Sequence, residues 1–147
     1  MNKIMLMLMF ASTVYANGPI KPISSITPGA IDHSATVRKI CVPGYSKSVR
    51  NVSKKTKDEV FQKYGIDPNQ DQYEVDHLIS LELGGSNDIK NLWPESYTTT
   101  PFNAHKKDVL ENKLHKMVCS KEITLEQAQK EISTDWVKSY HDHVLKH

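Results

Sequence analysis

The sequence predicts an α+β fold, on three observations. Between Tyr73 and Val118 two short strand-forming stretches, a turn and a helix follow one another; helical periodicity recurs on both sides of that block; and no repeat or long linker divides the 147 residues. That length suits one ordinary domain with a core of its own. An apolar fraction of 38% beside 24% charged residues excludes the disordered and fibrous classes.

The first residues differ from the rest. Lys3 gives a short positive start, Ile4 to Val14 is apolar apart from Ser12 and Thr13, and Val14 and Ala16 put small side chains where a signal peptidase inspects the chain. The apolar run is too short to span a bilayer as a helix. Residues 1–16 are therefore expected to be a secretory signal, with the mature protein exported to the periplasm or beyond and beginning at Asn17. In an oxidising compartment Cys41 and Cys119 can pair, a bridge that would add about 4 kcal/mol in the chain-entropy picture. The alternative is two buried thiols, and two cysteines alone do not make a cysteine-based zinc site.

Residues 17–52 are expected to form an extended N-terminal arm with a basic segment. Asn17 to Ala30 is rich in proline and glycine and poor in large apolar residues, so it should run extended over the surface. From His33 to Lys57 the chain carries Arg38, Lys39, Lys47, Arg50, Lys54, Lys55 and Lys57 and no acidic residue, a pattern that suits a phosphate track or a solvated face. The formal net charge of +2 does not by itself announce a nucleic-acid binder.

The main domain is expected over 53–147. Ser53 can cap a helix through Lys54 to Tyr64 that buries Val60, Phe61 and Tyr64 and stops at Gly65. Tyr73 to Leu83 has strand-like stretches, Gly84-Gly85-Ser86-Asn87 reads as a turn, and a second strand at Asn91 to Trp93 should end at Pro94. Asn103 can cap a helix to Val118, with Leu110, Leu114, Met117 and Val118 at helical spacing. Thr124 and Gln127 have capping-box spacing for a helix through Ile132, and a last helix should run from Thr134 to Leu145. The histidines of that end, His141, His143 and His147, suit a solvated chain end better than a metal-binding tail.

One pair of residues suggests chemistry. Hydrolysis of a phosphodiester near neutral pH needs a base for the attacking water and positive charge on the phosphate. On a strand, Asp76 and His77 would point to opposite sides of the backbone, so the carboxylate can hold a cation while the imidazole faces the water. The surrounding string YEVDHLISLELGGSNDIKNLWPE, Tyr73 to Glu95, resembles the core of the HNH (His-Me finger) endonucleases, and NAHKKDVLEN, Asn103 to Asn112, is similar to the start of their helix.

That resemblance, which ends at Asn112, implies a ββα-metal finger built on Tyr73 to Val118 and braced by flanking helices. It implies His77 as general base, Asn91 as the residue that holds the loop after His77, and Asp76 as a metal ligand. The third signature position departs from the family's frequent histidine: Asn103 is the expected second ligand, with His105 one step inside the helix as its rival and His115 further along. Oxygen ligands from Asp76 and Asn103 imply one Mg²⁺ or Mn²⁺ ion; His105 in place of Asn103 would favour Zn²⁺ or Ni²⁺. The implied activity is endonucleolytic hydrolysis of nucleic acid, DNA first, leaving 5′-phosphate and 3′-hydroxyl ends. The alternatives are an inactive exported binding module on the same finger and an adaptor domain built on the terminal helices. The joint presence of Asp76, His77 and Asn91 favours the enzyme, since binding alone needs no base.

Overall fold

A computed structural model describes residues 21–70 and 72–146; the expected leader, the first residues of the arm and His147 lie outside them. In chain order come the short helices α1 (Val37–Ile40) and α2 (Tyr45–Val49), α3 (Lys54–Tyr64), the strands β1 (Tyr73–His77) and β2 (Leu92–Ser96), α4 (Ala104–Cys119), α5 (Leu125–Tyr140) and a π turn at His141–Leu145. The architecture is α+β, with β1 and β2 forming a two-stranded antiparallel sheet.

Local chemistry explains the longer helices. Ser53 Oγ accepts the Thr56 N–H at 3.1 Å to start α3, and Gly65 closes it with φ +65° in the left-handed region. Thr124 Oγ1 accepts the Gln127 N–H at 3.0 Å at the start of α5. The two terminal helices expected from the sequence follow one another without a loop, broken only at Asp135, whose φ −159° and ψ 89° are not helical. Asp135 Oδ1 there accepts the Lys138 N–H at 3.0 Å, so the residue that interrupts the helix also caps its second half.

Three expectations need correction. The second strand does not stop at Pro94 but continues to Ser96. The Leu78 N–H donates to Asn91 O and the Tyr97 N–H to Gln72 O, and this alternation places Val75 opposite Pro94 at a position without ladder bonds. Proline's missing N–H therefore costs the sheet nothing. The strand character expected as far as Leu83 ends at His77, and Leu81–Leu83 is a 3₁₀ turn. The arm is not extended throughout, since the basic segment winds into α1 and α2 and buries Ile40.

The loop between the strands is a built element. Gly85 is only possible as glycine: a Cβ there would lie 1.7 Å from the Ile79 carbonyl oxygen. The arm is laced to the same loop, with Gly29 N–H donating to Lys90 O, Asp32 N–H to Gly84 O and Ser86 N–H to Ala30 O. Thr27, buried, donates to Leu92 O at 2.9 Å. Ile79 and Leu83 of the loop join Ile40, Leu110, Leu114, Ile132, Trp136 and Tyr140 in the main core between α4 and α5. The Cys41–Cys119 disulfide ties the end of α1 to the last residue of α4 across a separation of 78 residues. Among the described residues no helix is long and apolar enough to cross a membrane.

Gly85→Ala is expected to destabilise the protein by about 2 to 3 kcal/mol, because the clash is with backbone and the loop must move. Gly44→Ala, where nothing lies within 4 Å, should cost only the left-handed strain of about 1 kcal/mol. Urea unfolding of the two variants measures the difference.

Candidate functional site

Alternation along β1 turns Glu74 and Asp76 to one face and His77 to the other. The sheet register sets Glu74 directly opposite Glu95 on β2, so three carboxylates share a face. One oxygen from each of Glu74, Asp76 and Glu95 lies within 4.8 Å of the others. Glu95 is 2% exposed, and among the described residues no N–H or hydroxyl donor reaches either of its oxygens; its hydrogen-bonding neighbour is the Asp76 carboxyl. Glu74 sits nearer the surface and accepts from the Tyr97 hydroxyl at 2.7 Å.

Among the described residues one buried cation enters this face, from α4. Lys107, 0% exposed, donates to Asp76 Oδ2 at 2.6 Å and to the His77 carbonyl at 2.8 Å, and forms an ion pair with Glu111 one turn along. Burial opposes the lysine charge, yet Asp76, Glu111 and Glu95 outweigh it and raise its pKa further. Burial works against the Asp76 carboxylate too, but the charge and hydrogen bond of Lys107 hold it below the usual carboxylate range. The other acids yield to burial: Glu95 is pushed up to about 10 and Glu111 to about 8, with Lys107 resisting in both.

The opposite face presents His77, which is 2% exposed. Its Nε2 lies 3.1 Å from Asn87 Oδ1. The orientation of the Asn87 amide is set independently, since its Nδ2 donates to Val49 O at 2.8 Å and its Oδ1 accepts the Asn51 N–H at 3.2 Å. Nε2 must then carry the proton, and Nδ1 keeps the lone pair with no hydrogen bond from the described residues. Burial lowers the pKa of His77, against the pull of the Asn87 hydrogen bond, which favours the neutral imidazole a base requires.

Asn91 is buried at the end of the loop. Its Oδ1 accepts from the Ile79 N–H at 2.9 Å and more weakly from Ala30, while its Nδ2 donates to the Ile79 and Ser86 carbonyls, both at 2.9 Å. Both ends of the loop that follows His77 therefore converge on one amide.

Comparison with protein-family models, with curated proteins and with solved structures finds no match. The chemistry rests on this chain's own residues.

Asp76, His77 and Asn91 come together around the end of β1, but Asn103 has other work. Its Oδ1 accepts the Lys106 N–H at 3.2 Å and its Nδ2 donates to Thr99 O at 3.1 Å, which are the bonds of a helix cap. His105 is exposed beside the Tyr97 ring, 5.5 Å between centroids. His115 lies at the disulfide, 2.9 Å from the Ile40 carbonyl. His143 pairs with Glu131 at 2.6 Å. Arg50, held between Val49 and Asn51 where both bond to Asn87, is exposed and near enough for its charge to act on His77 and Asp108, and its guanidinium makes no ion pair with the described residues.

Sequence reasoning did not single out Glu74, Asn87, Glu95 or Glu111. Period-two spacing from Asp76 would have reached Glu74; Glu95 needed the register, and Asn87 needed the tertiary fold. Lys107 was recognisable only as the residue one turn after Asn103.

Lys107→Met should destabilise the fold by about 3 to 5 kcal/mol, since it leaves Asp76 and Glu111 buried without their cation. Chemical denaturation checks this, and a loss below about 1 kcal/mol would mean the pair carries little of the structure.

Proposed function

We propose that this chain is a metal-dependent endonuclease of the HNH type, hydrolysing phosphodiester bonds of nucleic acid, with DNA as the first substrate to test. The observation that carries the reading is the division of labour at the end of β1: a carboxylate face around Asp76, and beside it a neutral imidazole whose Nδ1 is left to accept a proton. An inactive binding module needs neither.

His77 Nδ1 takes the proton of an attacking water, and the Asn87 oxygen steadies the imidazolium that forms by accepting from Nε2–H. Asn91 keeps the loop after His77 in place, so the ring does not turn away from that water. Arg50 offers a planar cation to a phosphate approaching His77. A bound Mg²⁺ or Mn²⁺ would stabilise charge on the scissile phosphate and the departing oxygen. The carboxylate face fits such an ion, because its donors are all oxygens and Glu95 is a buried acceptor that no N–H or hydroxyl of the described residues reaches. The apolar leader in the sequence and the Cys41–Cys119 bridge support a protein that works outside the cytoplasm.

Purified, disulfide-intact protein is expected to nick supercoiled plasmid with Mn²⁺ or Mg²⁺ and to stop when EDTA is added. His77→Ala should lower the rate by about 10² to 10⁴-fold while the protein remains folded. A folded mutant with the wild-type rate would refute the mechanism, and DNA binding without any cleavage would leave the inactive module in its place.

A further inference from the structure

The family resemblance assigns a second metal ligand to the start of the helix, at Asn103, whereas both ends of the Asn103 amide cap α4 and hold the Thr99 carbonyl. What α4 sends toward Asp76 is a cation, Lys107. Asp108 and Glu111 of α4 also act on Asp76, but among the described residues the acidic oxygens that converge with its own within 4.8 Å are those of Glu74 and Glu95, on the strands.

We infer that the divalent ion is held by Glu74, Asp76 and Glu95, a ligand set supplied entirely by β1 and β2, with Lys107 as the residue that positions Asp76. This rests on the nuclease reading only for the use made of the ion. The sheet itself builds the set: Glu74 and Glu95 are cross-strand partners, and Asp76 follows Glu74 by one strand period on the same face. Three oxygens at the 4.8 Å limit leave a central point about 2.8 Å from each, and any closer approach brings a cation into the roughly 2.0 to 2.6 Å range of hard divalent ions.

An acidic cluster alone would not make a site, and Glu95 supplies the independent observation. It is 2% exposed, and no N–H or hydroxyl donor of the described residues reaches either oxygen. The Lys107 ammonium does not reach it, being taken up by Asp76 Oδ2, the His77 carbonyl and Glu111. Two buried carboxyl groups that face each other without an N–H or hydroxyl donor for Glu95 need either a shared proton or a cation between them, and the third carboxylate on the same face favours the cation. Lys107 prepares the place: with Asp76 Oδ2 tied to α4 and the His77 carbonyl tied to the same nitrogen, the end of β1 is set before any metal binds.

The test is a Mn²⁺ titration of the purified, disulfide-intact chain without nucleic acid, followed by the electron paramagnetic resonance of free Mn²⁺. The wild type should bind one ion. Glu95→Gln and Glu74→Gln, near-isosteric and each removing one charged ligand, should weaken binding by more than about tenfold. Asn103→Ala should lower the melting temperature through the lost cap and leave Mn²⁺ affinity within about twofold. Unchanged affinity in both glutamate variants would overturn the ligand set, and would mean that Glu95 is satisfied by a proton shared with Asp76. Lost binding in Asn103→Ala beside retained binding in Glu95→Gln would overturn it in favour of the helix ligand. If Glu95→Gln does not fold, Glu74→Gln, nearer the surface, decides alone. Intact, cluster-dependent Mn²⁺ binding without plasmid cleavage would sink the nuclease reading and leave the site standing; cleavage with cluster-independent binding would do the reverse.

Discussion

The buried ammonium of Lys107 is the contact on which the rest of the site depends. It binds the Asp76 carboxylate, the carbonyl of His77 and the Glu111 carboxylate together, and so fixes the one place where helix α4 and strand β1 must meet. An ion pair of this kind adds little net stability over a well-packed apolar alternative, because both charges are taken from water. What it contributes is specificity. An apolar side chain at Lys107 could cover the sheet in many ways, whereas three acceptors around one nitrogen define a single position for the end of β1.

Two asparagines extend that order to the loops. Asn91 gathers Ile79, Ser86 and Ala30, so the loop after His77 and the N-terminal arm are held by one buried amide. Asn87 performs the corresponding service for the basic segment, joining Val49 and Asn51 to the His77 ring. Arg50, which lies between them in the chain, is thereby brought near the imidazole.

Much of this was legible from residue order. Period-two alternation separates Asp76 from His77, the Ser53 and Thr124 caps mark helix starts that the structure has, and the leucine spacing from Leu110 finds the face of α4 that packs on α5. Other parts were hidden for physical reasons. Pro94 reads as a strand stop because the missing N–H matters only where a ladder bond falls, and register alone tells where that is. Glu95 was hidden with it. Helices α1 and α2 are too short for a periodic pattern to emerge, and a lysine such as Lys107 is expected at the surface until three acceptors inside are known. Asn103 illustrates the opposite problem, since one amide suits both a cap and a ligand, and only its hydrogen bonds tell which use it has found.

The central claim is that the end of β1 separates a cation-binding carboxylate face from a base whose Nδ1 is free. Anomalous diffraction from crystals grown with Mn²⁺ and a short DNA duplex tests it most directly. The account predicts one manganese peak within coordination distance of Asp76, with His77 Nδ1 turned toward a phosphate of the duplex and Nε2 still bonded to Asn87. A manganese peak remote from Asp76, or a His77 ring whose Nδ1 is occupied by a protein group in the complex, would contradict it.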